Sequence, residues 1–159
     1  RKSSGTFVHP ELGYNFRMNN ILAALGLSQL AKMPFISSQK KQIDAHYRRY
    51  LGDAVDYLVI RQDFDYIPFR VVIFVPDADA VMAHMKARGI EARSMFYPLH
   101  RQPCYGAAGY SDHEFERSME CFKRGLCLPT WVGLTEEQIR YVAETVKDSL
   151  VKTKAGSGI

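Results

Sequence analysis

Phe69-Arg70-Val71-Val72-Ile73-Phe74-Val75-Pro76-Asp77 is the stretch on which the fold turns. The residues before the proline are rich in β-branched and aromatic side chains, the composition of a strand. Pro76 cannot extend a hydrogen-bonded ladder, and Asp77 is a residue type that caps helices. The helix it opens carries Val81, Met82 and Met85 on one face and is closed by Gly89. Ile90 to Phe96 then returns as a strand. A strand, a helix and a second strand in close succession describe a small α/β or α+β unit.

The pattern continues on both sides. Downstream, Phe115, Met119 and Phe122 mark a helix ending at Gly125, and Leu126 to Leu128 is an extended segment stopped by Pro129. Thr135-Glu136-Glu137-Gln138 is a capping box opening a helix that buries Ile139, Val142, Val146 and Leu150. The Gly/Ser/Lys-containing residues 152–159 are expected to form a flexible tail. Upstream, Tyr57 to Ile60 is a short candidate strand. Before it, Ile43, Tyr47, Tyr50 and Leu51 share one helical face, while Lys40, Lys41, Arg48 and Arg49 make the opposite, solvated one. A helix also starts at Asn20, and Pro34 must kink or end it. Its apolar residues Ile21, Leu22, Ala24, Leu25, Leu27 and Leu30 cover a wider surface than a solvent-facing helix needs. Either a subunit or interdomain interface, or an ordinary core helix, explains that width. The organisation is thus an irregular lead-in over 1–13, a helical arm over 14–51, an α/β domain over 52–151, and the tail.

Composition narrows the class. The chain has 159 residues, 47% hydrophobic and 24% charged, which suffices for one folded core and excludes wholesale disorder. The longest stretch without a charged side chain, Met18 to Ala31, is too short and too polar for a membrane span. A net charge of +4 supports no nucleic-acid partner. Cys104, Cys121 and Cys127 have no Cys-x-x-Cys spacing, so reduced thiols in a cytoplasm are expected, and no metal site.

Two clusters could carry chemistry. In Gly13-Tyr14-Asn15-Phe16-Arg17-Met18, Asn15 and Arg17 stand at a helix entrance, where free N–H groups and the dipole favour an anion. The more ordinary reading of the same residues is a turn-capping Asn15 and a solvated Arg17. In Phe96-Tyr97-Pro98-Leu99-His100, Tyr97 and His100 offer donors, an acceptor and a titratable ring just beyond a strand. A packed aromatic corner stiffened by Pro98 is the other reading.

The first cluster, followed by Ala23-Ala24-Leu25-Gly26-Leu27 and Gln29-Leu30, closely resembles the signature of the DegT/DnrJ/StrS sugar aminotransferases. Later matches keep the family order: Arg93, then Phe96-Tyr97-Pro98-Leu99-His100 with Gln102-Pro103, then Gly125-Leu126-Cys127-Leu128-Pro129, then Leu134-Thr135. Within the family, the stretch around His100 looks most like the GDP-perosamine synthase branch. Ser94 departs from that branch, which often has Pro there, and Leu22 stands where the family often has Gln.

The resemblance implies the small C-terminal domain of a fold-type-I pyridoxal-phosphate aminotransferase: a long helical arm, then a small mixed sheet flanked by helices. It implies pyridoxal 5'-phosphate as cofactor, a nucleotide-linked keto-sugar of the perosamine type as substrate, glutamate as amino donor, and a homodimer formed through residues 14–33. Asn15 would reach across that dimer to the cofactor phosphate, with Arg17 supporting the anionic region. Tyr97 and His100 would lie by the sugar-nucleotide pocket. The family's Schiff-base lysine motif has no match, and Lys32, Lys40 and Lys41 read as surface lysines, so no residue of this chain is assigned a catalytic role. The expectation is therefore a C-terminal portion, silent alone, whose partner is a lysine-bearing N-terminal domain; the Arg1-Lys2-Ser3-Ser4 start fits such a cut. The alternative is a non-catalytic binding or regulatory module derived from that domain.

Overall fold

The computed structural model describes residues 7–156. In chain order it contains helices α1 (Asn20–Ala31) and α2 (Met33–Leu51), strands β1 (Asp56–Tyr57) and β2 (Val71–Phe74), helix α3 (Ala78–Lys86), strand β3 (Arg93–Ser94), helix α4 (Glu116–Arg124), strand β4 (Gly125–Leu128) and helix α5 (Glu136–Gly156). The strands lie in the order β1-β2-β4-β3, and every pairing is antiparallel. The expected α/β character holds; the expected mixed sheet does not. Because β4 is inserted between β2 and β3, those two run parallel without touching, joined by α3 as a crossover, and each meets β4 antiparallel.

Register assigns the two faces. Val71 and Ile73 on β2 and Leu126 and Leu128 on β4 point to one side, where α2, α3 and α5 cover them. Ile43, Tyr47 and Leu51 from α2, Val81 and Met85 from α3, and Ile139, Val142 and Val146 from α5 complete this core, each at most 4% exposed. The opposite face carries Arg70, Val72 and Phe74, with Gly125 and Cys127, and Arg93 across β4. Gly125 is required by packing: a Cβ there would stand 2.4 Å from Met95 Cγ and 2.5 Å from the Cys121 carbonyl oxygen.

The local signals act where the sequence placed them. Asp77 Oδ1 accepts from Ala80 N at 3.0 Å, and Gly89 adopts φ +74 after α3. Thr135 Oγ1 accepts from Gln138 N, and Gln138 Oε1 accepts from Thr135 N, closing the capping box of α5. Pro34 sits in the first turn of α2, and α1 meets the following helical segment at a bend of 64°. No single helix among the described residues is long and apolar enough to cross a membrane; α1 and the helical segment after it pass that test only as a bent pair.

Other expectations need correction. The strands are shorter than the apolar runs: β1 stops at Tyr57 because the chain leaves the sheet there, with Val59 fully in solvent, and Ile90 belongs to the core beneath α3 rather than to a ladder. Helix α5 extends through residues 152–156, assigned above to the tail, because lysine and alanine sustain a helix. The lead-in over 1–6 and the tail at 157–159 lie outside the described residues. The basic face of α2 is not simply solvated. Lys40 Nζ donates to the carbonyls of Phe69 (3.2 Å) and Thr130, its pKa lowered by burial, and the Arg48 guanidinium lies 4.5 Å from the Tyr57 ring centre. Lys40 and the fully buried Tyr47, whose hydroxyl donates to Pro129 O at 3.0 Å, bind α2 to the exit of β4, and Arg48 binds it to β1.

Candidate functional site

The segment 13–18 and the helix after it are the least embedded part of the structure. Asn15 and Arg17 are exposed, and among the described residues neither side chain has a hydrogen-bond or ion-pair partner. Asn15 caps nothing; Asn19 caps α1, its Oδ1 accepting from Leu22 N at 2.9 Å. The core-helix explanation for α1 also fails. None of its residues is buried, and Ile21, Leu22, Leu25, Leu27 and Leu30 are each more than half exposed. An amide and a guanidinium beside an open apolar helix offer an anion both hydrogen bonds and charge.

The second cluster folds into a closed corner. His100 has only 4% of its side chain exposed; its ring stacks on Phe115 with centroids 4.7 Å apart, and Phe115 meets Tyr110 edge-on. His100 Nε2 pairs with Asp112 Oδ1 at 3.0 Å. Arg101 donates to both oxygens of the same carboxylate, through Nε at 2.8 Å and through Nη2. Arg101 first, and His100 second, hold the Asp112 pKa down to about 2. Tyr97 is half-buried, edge-on to Phe122 at 5.3 Å. The aromatic-corner reading is thus the geometry observed, and the polar end of the His100 ring is committed to Asp112.

Sequence reasoning missed three members of this site. Asp112 lies in a short turn capped by Ser111 and Glu114, whose Ser-x-x-Glu spacing was a legible signal. Arg101 was passed over beside His100. Gln102, 4% exposed, uses its side chain as a strap: Oε1 accepts from His9 N at 2.7 Å and Nε2 donates to Phe7 O at 2.6 Å. It thereby fastens the segment leading to Asn15 onto the loop that carries Tyr97 and His100. No local pattern announces a contact between residues so far apart in the chain. Among the described residues no hydrogen bond, ion pair or ring contact joins Asn15 or Arg17 to Tyr97 or His100.

The profile of the DegT/DnrJ/EryC1/StrS aminotransferase family matches residues 1–147. The chain belongs to this family. Its relatives include GDP-perosamine synthase of Escherichia coli O157:H7, 31% identical over 143 residues, covering 88% of this chain and 38% of that protein. GDP-perosamine synthase of Vibrio cholerae is 27% identical over 146 residues, covering 88% and 40%. The fold matches that of Spr1654 from Streptococcus pneumoniae, solved in its PMP form, with a TM-score of 0.80 at 22% identity over 89% of this chain and 38% of that one. This family member therefore spans about two fifths of the length of the relatives it matches. Pyridoxal phosphate is the cofactor of the family. The donor set of Asn15 and Arg17 fits the phosphate end of that cofactor. Among the described residues no three His, Cys, Asp or Glu side chains group as metal ligands.

Proposed function

We propose that this chain is the C-terminal portion of a pyridoxal-phosphate-dependent aminotransferase that aminates a nucleotide-linked keto-sugar, of the perosamine type, with glutamate as donor. The carrying observation is the pair Asn15 and Arg17, two unpartnered anion donors placed directly before an uncovered apolar helix. An exposed surface of that size on α1 favours burial against a second copy. In a homodimer formed through residues 14–33, the pair serves the cofactor phosphate of the opposite site. One charge-assisted hydrogen bond of that kind contributes about 1.5–3 kcal/mol.

When bound, the cofactor supplies the electron sink that lets an amino group pass between donor and acceptor. This chain's residues bind and orient. Asn15 and Arg17 hold the phosphate; Tyr97 offers its hydroxyl to the sugar; His100, closed off from solvent, sets the loop around that hydroxyl through Asp112 and Arg101. The Schiff-base lysine is assigned to a lysine-bearing domain outside this chain. Lys40 is occupied by two backbone carbonyls, which agrees with that assignment. The free thiols Cys104, Cys121 and Cys127 suit a reduced, cytoplasmic setting.

The test is borohydride trapping. Incubated with pyridoxal phosphate and reduced, this chain alone should show no stoichiometric lysine adduct in peptide mass mapping. Joined to a lysine-bearing domain of the family, it should acquire visible cofactor absorbance. A single trapped lysine within residues 1–159, abolished by its substitution, would overturn the assignment. The second reading, a non-catalytic binding module, rests on the same exposed α1 face and predicts no absorbance in either case.

A further inference from the structure

The sheet face turned away from the helices carries an arginine that lacks a counter-charge. Arg70 stands two residues before Val72 on β2, and Val72, Cys127 and Arg93 are aligned across β2, β4 and β3. Residues so aligned project from the same face, so Arg93 on β3 stands directly beside Cys127 on β4, and Arg70 lies diagonally from it on the other side. Burial pushes the Cys127 thiol pKa up; against it, Arg70 hydrogen-bonds the thiol, and the charges of Arg70 and Arg93 also draw that pKa down.

Around Arg70 the surroundings are aromatic, not acidic. Its guanidinium carbon lies 5.3 Å from the ring centre of Phe69 and 5.7 Å from those of Phe7 and Phe96. Its Nη1 is shut from solvent without a hydrogen-bond partner among the described residues, and no carboxylate there lies within ion-pair distance. Rings offset part of the charge but supply no hydrogen-bond acceptor for a guanidinium edge. Arg93, half exposed, has one contact to the exposed Glu91 at 3.2 Å, a surface pair that yields readily to a better acceptor. Phe69 and Phe96 are themselves more than half exposed, so the rim of the box faces solvent.

We propose that Arg70 and Arg93 form an oxyanion-binding subsite on the open face of the sheet, taking the paired anionic oxygens of a substrate. An amino-donor carboxylate and a nucleotide diphosphate share that chemistry. The identity of the source rests on the aminotransferase reading; the binding chemistry does not.

The experiment uses the full 159-residue chain without cofactor. Isothermal titration at low salt with glutarate and, separately, inorganic pyrophosphate is run on the wild type, Arg70→Met and Arg93→Met. We expect one probe to bind about tenfold more tightly than the other, and Arg70→Met to weaken it by about tenfold or more. Preference for glutarate assigns the amino donor, and preference for pyrophosphate assigns the nucleotide. Without probe, Arg70→Met should melt no lower than wild type, because an unpaired, half-buried charge has been removed. Should Arg70→Met fail to fold, the exposed Arg93→Met carries the comparison. Binding of neither probe, or binding that neither variant weakens, overturns the proposal. A chain that binds the probe but gains no cofactor absorbance with the lysine-bearing domain overturns only the aminotransferase reading.

Discussion

Gly125→Ala tests how tightly the two faces of the sheet are joined at the α4–β4 junction. Gly125 has an ordinary φ of −86, so alanine meets no backbone strain there. The obstacle is space. The added methyl would fall 2.4 Å from Met95 Cγ, 2.5 Å from Cys121 O and 3.1 Å from Phe74 Cε1. Met95 can swing aside. The Cys121 carbonyl cannot, because it accepts the hydrogen bond from Gly125 N that ends α4. Relief near 1 Å must therefore come from moving β4 away from α4, which also strains the bond from Val75 N to Arg124 O, now 2.9 Å. Overpacking costs about 1–3 kcal/mol, and a loosened cap adds about 1 kcal/mol. The expected loss is about 3 kcal/mol, a large part of the roughly 5–15 kcal/mol that holds a domain together. Urea unfolding followed by circular dichroism should show a lower midpoint with an unchanged slope. Adding Met95→Ala should restore only part of the loss. Gly26→Ala is the control: it lies within α1 with nothing within 4 Å, so alanine should be neutral or stabilise by up to about 1 kcal/mol. A Gly125→Ala loss under about 1 kcal/mol, or full rescue by Met95→Ala, would refute the reasoning about the fixed carbonyl.

Tyr47→Phe should lower stability by about 1–3 kcal/mol, since it leaves the part-buried Pro129 carbonyl without its donor; thermal unfolding measures it. Asp112 is depressed to about 2 in the folded chain from an ordinary value of 3.8, so its contribution is complete above the unfolded value and lost as pH falls through the folded one. Hydrogen-exchange protection of the 97–115 loop, relative to the intrinsic amide rate at each pH, should therefore fall between about pH 4 and pH 2, and Asp112→Asn should remove that step. Asn15→Ala should leave the unfolding midpoint of this chain within about 0.5 kcal/mol of wild type while weakening cofactor retention about tenfold or more in the lysine-bearing assembly. Equal retention would remove Asn15 from the phosphate site.

The elements legible in the sequence are those whose cause is local. Asp77, Thr135 with Gln138, Pro34 and Gly89 act through their own backbone neighbours, and each does in the structure what its residue type requires. The strand lengths were overread because a short apolar run does not reveal whether its residues face a ladder or a core; Ile90 chose the core. The site was legible only as names in a motif. His100 could be picked out, but its burial on Phe115 and its link to Asp112 depend on how the loop closes. Lys40 was misread for the same reason: its acceptors, the carbonyls of Phe69 and Thr130, are brought to it by β2 and the exit of β4.

The chain separates stability from recognition along its length. Everything that covers the sheet's inner face lies from Ile43 onward, and the same stretch contributes the buried side chains of the core. Residues 13–31 add no buried side chain, yet hold the largest run of exposed apolar residues and the two free anion donors. Natural selection on folding alone would not keep Ile21, Leu22, Leu25, Leu27 and Leu30 in water, since each would be safer polar. Their place beside Asn15 and Arg17 is what the proposed homodimer requires, which would cover that surface and carry the donors to an anion at its edge. Gln102 fits this division. Together with the bond from Cys104 N to His9 O and the contact between the Phe7 and Phe96 rings, it fastens Phe7 and His9, and so the approach to that surface, to the loop of Tyr97 and His100.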